Sequence, residues 1–186
     1  MKLKKINAVL SLMTILTLLI HVGYTVFAYM TFYYNPGLKL WTSVPFMVCA
    51  CLHAVCGMAA VFLQADGTSL ALYPKQNKGT IIQRMSAALI FPLLILHLNT
   101  FNLLASCAGG GRWFFFVLIV LSQPLFYGVV LAHTAVSLSR ALITLGWLSS
   151  TEKKKITDRI VYAVCIICFV LSAFFIIKGQ LAMFLH

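Results

Sequence analysis

The sequence predicts an all-α integral membrane protein, a bundle of five transmembrane helices forming one domain over residues 1–186. Three observations carry that prediction. Of 186 residues, 62% are hydrophobic and 9% charged, with a mean hydropathy of +0.99, whereas soluble domains are about a quarter charged. Five apolar runs, at roughly 6–31, 43–64, 81–105, 113–147 and 160–184, each reach the ~20 residues that cross ~30 Å of hydrocarbon at 1.5 Å per residue. Basic residues gather in alternate connections between those runs.

Each run must be helical, because a lone apolar segment in lipid has to satisfy its own backbone hydrogen bonds. The first begins MKLKKINAVLSLMTILTLLI, which has the basic and apolar regions of a secretory signal. Its apolar stretch continues through His21 and Gly23 to Tyr34, beyond the usual ~7–15 residues, so it reads as a retained helix. The fourth run is long enough to tilt or to extend past the bilayer. Lys2, Lys4 and Lys5 precede span one; Lys75, Lys78 and Arg84 lie between spans two and three; Lys153, Lys154, Lys155 and Arg159 lie between four and five. The opposite connections carry Lys39 and Arg112. This asymmetry puts the N-terminus in the cytoplasm and the C-terminus outside; the expected location is the cell inner membrane, as a multi-pass chain. The net charge of +11 is thereby read as topology, with no nucleic-acid partner, although a basic inner face also suits a soluble partner or anionic lipid. Tyr29, Tyr33, Tyr34, Trp41, Trp113 and Trp147 fall near span ends, as interfacial aromatics do. Among six cysteines, Cys107 beside the Gly109-Gly110-Gly111 turn is the one expected to be placed to react; the other five sit within spans as small hydrophobes.

Four histidines are spread one per span over the first four helices: His21, His53, His97 and His133. An ionisable residue inside a bilayer is costly and faces a partner or the bundle interior, yet none of these spans holds an Asp or Glu. Counting from the inner edge, His21 and His97 lie about 22 and 24 Å deep, His53 about 16 Å, and His133 between about 10 and 21 Å. Two levels result, an outer pair of His21 with His97 and an inner pair of His53 with His133, each from two different helices.

Two stacked pairs of neutral imidazoles are what two bis-histidine haems b require, with the porphyrin filling the space between helices. Two ligands per level fall short of the three or four that zinc takes. Gly57 and Ser137 follow His53 and His133 by four residues on the same helix face, where small side chains admit the macrocycle. Arg84 and Arg140 at the inner ends and Arg112 at the outer end are cations of the kind that haem propionates need.

With these residues in view, the chain resembles the cytochrome b subunit of the succinate dehydrogenase and fumarate reductase family in its single-chain, five-helix, di-haem form. Gln83-Arg84-Met85-Ser86 followed by His97 resembles the family's Gln-Arg-Thr/Ser-Gly…His helix, and His53-Ala54-Val55-Cys56-Gly57 its His-Ala-x-x-Gly. His133 before the Gly146-Trp147 region and a basic loop resembles its fourth helix. The resemblance implies that His21 and His97 hold the distal haem and His53 and His133 the proximal one, with Gln83 and Ser86 beside them. It implies partners on the cytoplasmic face, a flavoprotein subunit with covalent FAD and an iron–sulfur subunit, and a dimeric complex. Electrons would pass between iron–sulfur clusters, two haems b and quinone, commonly menaquinone, with the dicarboxylate chemistry on another subunit.

The chain departs from the family in two places. Ser86-Ala87 stands where the family has Thr/Ser-Gly. Some members use membrane-embedded glutamates for proton movement, whereas Asp66, Glu152 and Asp158 all fall in predicted cytoplasmic loops. Polar groups expected near the outer face, where quinone would be handled, are Tyr29, Tyr33, Asn35, Asn99 and Asn102. Two alternatives remain open on the residues: a di-haem cytochrome b of another membrane oxidoreductase, and a haem-free helical transporter or assembly protein.

Overall fold

The structure, a computed structural model, describes residues 2–63 and 74–184, with the side chains of 74–77 excepted. Five helices account for them: α1 Lys2–Thr31, α2 Pro36–Leu63, α3 Pro74–Gly109, α4 Trp113–Leu145 and α5 Thr151–Phe184. All five are long and apolar enough to cross a membrane, so the predicted multi-pass helical architecture holds. Asp66, His186 and the side chain of Lys75 lie outside the described residues.

The expected ends are too short at several points. Helices of 28 to 36 residues are about 42–54 Å long at 1.5 Å per residue, well beyond the hydrocarbon thickness of about 30 Å. Once started, a helix continues into the headgroup region, since charged residues do not break it. Thus α5 begins at Thr151, and Glu152 and Asp158, expected in a loop, are helical. Helix α4 stops two residues early: Gly146 at φ 82° ends it, with the Gly146 and Trp147 amides donating to Ile143 and Leu142 carbonyls at 3.0 Å, a left-handed glycine cap.

At the start of α2, the Asn35 side chain accepts from the Leu38 amide at 3.1 Å and Pro36 takes the first helical position, where its missing N–H costs nothing. The Tyr24 hydroxyl clamps this turn, donating to the Asn35 carbonyl at 2.8 Å and accepting from the Asn35 amide at 2.9 Å. In the same turn Phe32 adopts the left-handed region, φ 55°, which costs a residue with a Cβ about 1–2 kcal/mol. Tyr24→Phe is therefore expected to lose about 1–2 kcal/mol of stability, read as a fall of about 2–8 °C in the thermal midpoint in detergent.

Helix α4 packs against α1, α3 and α5, and α1 also packs against α2 and α5. Among the described residues α2 comes within 8 Å, Cα to Cα, of α1 alone, and α1 and α3 nowhere come that close. A gap therefore separates α2 from α3 and α4, and α1 from α3. On the α4–α5 side, buried Ser139 donates to Asp158, which also pairs with Lys154 at 2.6 Å. That bond ties the two helices at the lysine-rich end. At the far end Leu104, Cys107, Phe116 and Val120 form a buried cluster. Cys107 is 7% exposed, so it is a core residue and not the reactive thiol expected from its place beside the glycine turn. Lys178, on α5, adds an exposed cation towards that end.

Candidate functional site

The four histidines face the gap at two levels, and each pair joins two helices that do not approach one another. At the lysine-rich level His53 of α2 and His133 of α4 have ring centroids 6.4 Å apart, with ring planes at 64°. At the far level His21 of α1 and His97 of α3 line one cavity of about 530 Å³, within the range of small-molecule and cofactor sites.

One ring of each pair is locked. His97 Nδ1 lies 2.8 Å from Gln123 Oε1, and the ring stacks on Phe126 at 4.9 Å. His133 Nδ1 lies 3.1 Å from the Gln83 carbonyl and 3.0 Å from Ser86 Oγ. Ser86 spends its own proton on the Ile82 carbonyl, 2.7 Å away, so it faces His133 as an acceptor. An Nδ1–H engaged with oxygen leaves Nε2 as a bare lone pair, which is the form in which histidine binds a metal. His21 lies parallel to Phe46 at 5.7 Å. The Nδ1 atoms of His21 and His53 are buried without a hydrogen-bond partner, and an imidazole left so costs free energy unless something occupies the gap.

The structure sorts the remaining expected residues. Gln83 and Ser86 stand behind His133, and Arg140 reaches across from α4 to donate to Gln83 Oε1 at 2.8 Å and Thr80 Oγ1 at 3.0 Å. Gln83 is thus held through its side chain while its carbonyl receives the histidine. Ser137, 6% exposed, has an unpartnered hydroxyl one turn from His133. Gly57 turns towards α1, where a Cβ would meet Asn7 Oδ1 at 3.7 Å. Arg84 is exposed. Arg112 caps the end of α3, donating to the Ser106 carbonyl at 3.1 Å and hydroxyl at 2.7 Å. Tyr29 lines the far cavity and accepts from Gln180 Nε2 at 3.4 Å. Tyr33, Asn99 and Asn102 are exposed outside it, Asn99 bonding its own helix at the Ile95 carbonyl, and Asn35 is spent on the α2 cap.

Four residues of the far cavity were not singled out as site residues from the sequence: Gln123, Tyr127, Gln180 and Lys39. Gln123 and Gln180 are each 2% exposed, and Tyr127 is 5% exposed. Gln180 Oε1 has no partner. Lys39 Nζ sits 5.6 Å from the Phe101 ring centre and 5.8 Å from that of Tyr34, a cation steadied by aromatic faces. Glutamines and a tyrosine within long apolar runs are the detectable cue for the first three. Among the described residues no three His, Cys, Asp or Glu side chains come together as a metal cluster. No protein-family model, curated protein or solved structure matches the chain.

Proposed function

We propose that this chain is the di-haem cytochrome b membrane anchor of a succinate:quinone oxidoreductase or quinol:fumarate reductase. In that role it carries electrons between an iron–sulfur partner subunit and membrane quinone. One observation carries the reading: two histidine pairs at two depths, each bridging a pair of helices that stay apart.

His53 and His133, with ring centres 6.4 Å apart across the gap, would hold one haem iron through their ring nitrogens. The outer pair lines a cavity of cofactor size, and the locked rings of both pairs have Nε2 free. His53 and His133 would hold the proximal haem, His21 and His97 the distal one.

When bound, two haems supply one-electron transfer across the bilayer. The chain's own residues do the positioning. Gln83, Ser86 and Gln123 orient the ligand rings, and Ser137, with its free hydroxyl, borders the inner site. Arg140 lies at the lysine-rich end and Lys39 in the lining of the far cavity, each a cation suited to a propionate. Tyr29 and Gln180 present a hydroxyl and an unpartnered amide oxygen to that cavity, hydrogen-bonding groups of the sort a quinone or quinol headgroup takes up. The lysine-rich end, read as cytoplasmic, would receive the iron–sulfur and flavoprotein subunits.

The test is a dithionite-reduced minus oxidised spectrum of the purified protein, with haem measured per chain as the pyridine haemochrome. The reading expects two haems b per chain. A protein that binds none would overturn it and leave the histidines as polar contacts within a bundle.

A further inference from the structure

The proton on the outer locked histidine is dictated by a chain of hydrogen bonds that ends outside the histidine pair. Ser122 Oγ donates to the Ile119 carbonyl at 2.6 Å, as a serine does when it bonds back to its own helix. Its hydroxyl proton is thereby used, so the 3.0 Å contact with Gln123 has the amide Nε2 donating and the serine oxygen accepting. That orients the amide so that Oε1 faces His97, 2.8 Å from Nδ1. An amide oxygen only accepts, so His97 carries its proton on Nδ1. Gln123 is 2% exposed. The inner locked histidine is served differently, since its Nδ1 proton is shared between the Gln83 carbonyl and Ser86 Oγ at 3.1 and 3.0 Å.

From this geometry we infer that Gln123 is a positioning residue that fixes the tautomer of His97 and sets the reduction potential of the outer haem independently of the inner one. The inference rests on the di-haem reading above. Hydrogen bonding to the distal nitrogen raises the basicity of a ligating imidazole, and such outer contacts are a lever on the metal's potential. A more basic imidazole favours the oxidised iron. Stripping the acceptor therefore raises the potential, and a stronger acceptor lowers it.

The experiment is a redox titration of the purified protein, following the two haem components separately, for wild type, Gln123→Leu and Gln123→Glu. Gln123→Leu is expected to shift the outer component upward by about tenfold in its reduced-to-oxidised ratio, about 59 mV for a one-electron couple. Gln123→Glu is expected to shift it downward, and the inner component stays put in both. Opposite shifts from two replacements of similar size are not what a packing role produces. If both variants bind two haems with unchanged potentials, or both components move together, the inference fails while the di-haem reading stands. Loss of the outer haem from both variants assigns Gln123 to packing and also overturns it. Wild-type protein without haem removes the di-haem reading and this inference with it.

Discussion

Gly179→Ala is expected to lower the thermal midpoint of the detergent-solubilised protein by about 6–12 °C, equivalent to about 3 kcal/mol. A Cβ at residue 179 would overlap Tyr29 Cδ1 and stand 2.8 Å from Cγ and 3.0 Å from Cβ. Those atoms are the stiff root of a tyrosine, not the end of a flexible chain, so the contact cannot relax by a small rotation. Small residues are how membrane helices approach closely, and here one lets α1 lie against α5. Adding a methyl group forces either the two helices apart or Tyr29 into the cavity that His21 and His97 line. Differential scanning fluorimetry of Gly179→Ala, Tyr29→Leu and the double variant separates these effects. Relief of the clash in the double variant by at least about 1 kcal/mol relative to additivity is expected, since residues in contact couple. Strict additivity would mean that the contact does not limit stability.

The five helices were readable because a transmembrane segment cannot hide its hydropathy, and every expected span has a helix over it. Their ends were less readable. The Lys153-Lys154-Lys155 run and Asp158 look like a loop in composition, yet Ser150 caps α5 through the Lys153 amide at 3.2 Å and the helix starts there. Depth counting grouped the histidines correctly at the lysine-rich level, where His53 and His133 meet, because rise per residue is the same in every helix. It could not say which faces meet. Gly57, expected on the His53 face, lies against Asn7 of α1. Ser86, expected beside the histidines, lies 3.0 Å from His133 Nδ1. Gln123 and Gln180 show in the sequence only as amides within apolar runs, since their importance comes from contacts with helices distant in sequence.

Alanine at any one of the four histidines is expected to remove one haem per chain, a loss far larger than any second contact could cause, because a bis-histidine iron has two protein bonds and loses one outright. Supporting partners typically change metal affinity 10–100-fold, and a ligand exceeds that. The pairing makes the prediction sharper than a count. His21→Ala and His97→Ala should empty the same spectral component, His53→Ala and His133→Ala the other. The double variant His21→Ala/His97→Ala should then be no worse than either single change, and His21→Ala/His53→Ala should empty both components. Haem per chain and the reduced-minus-oxidised spectrum across these six variants test the central claim most directly. Two non-overlapping groups, divided as His21 with His97 and His53 with His133, are the predicted result. Any other division, or two haems retained in all six, would contradict it.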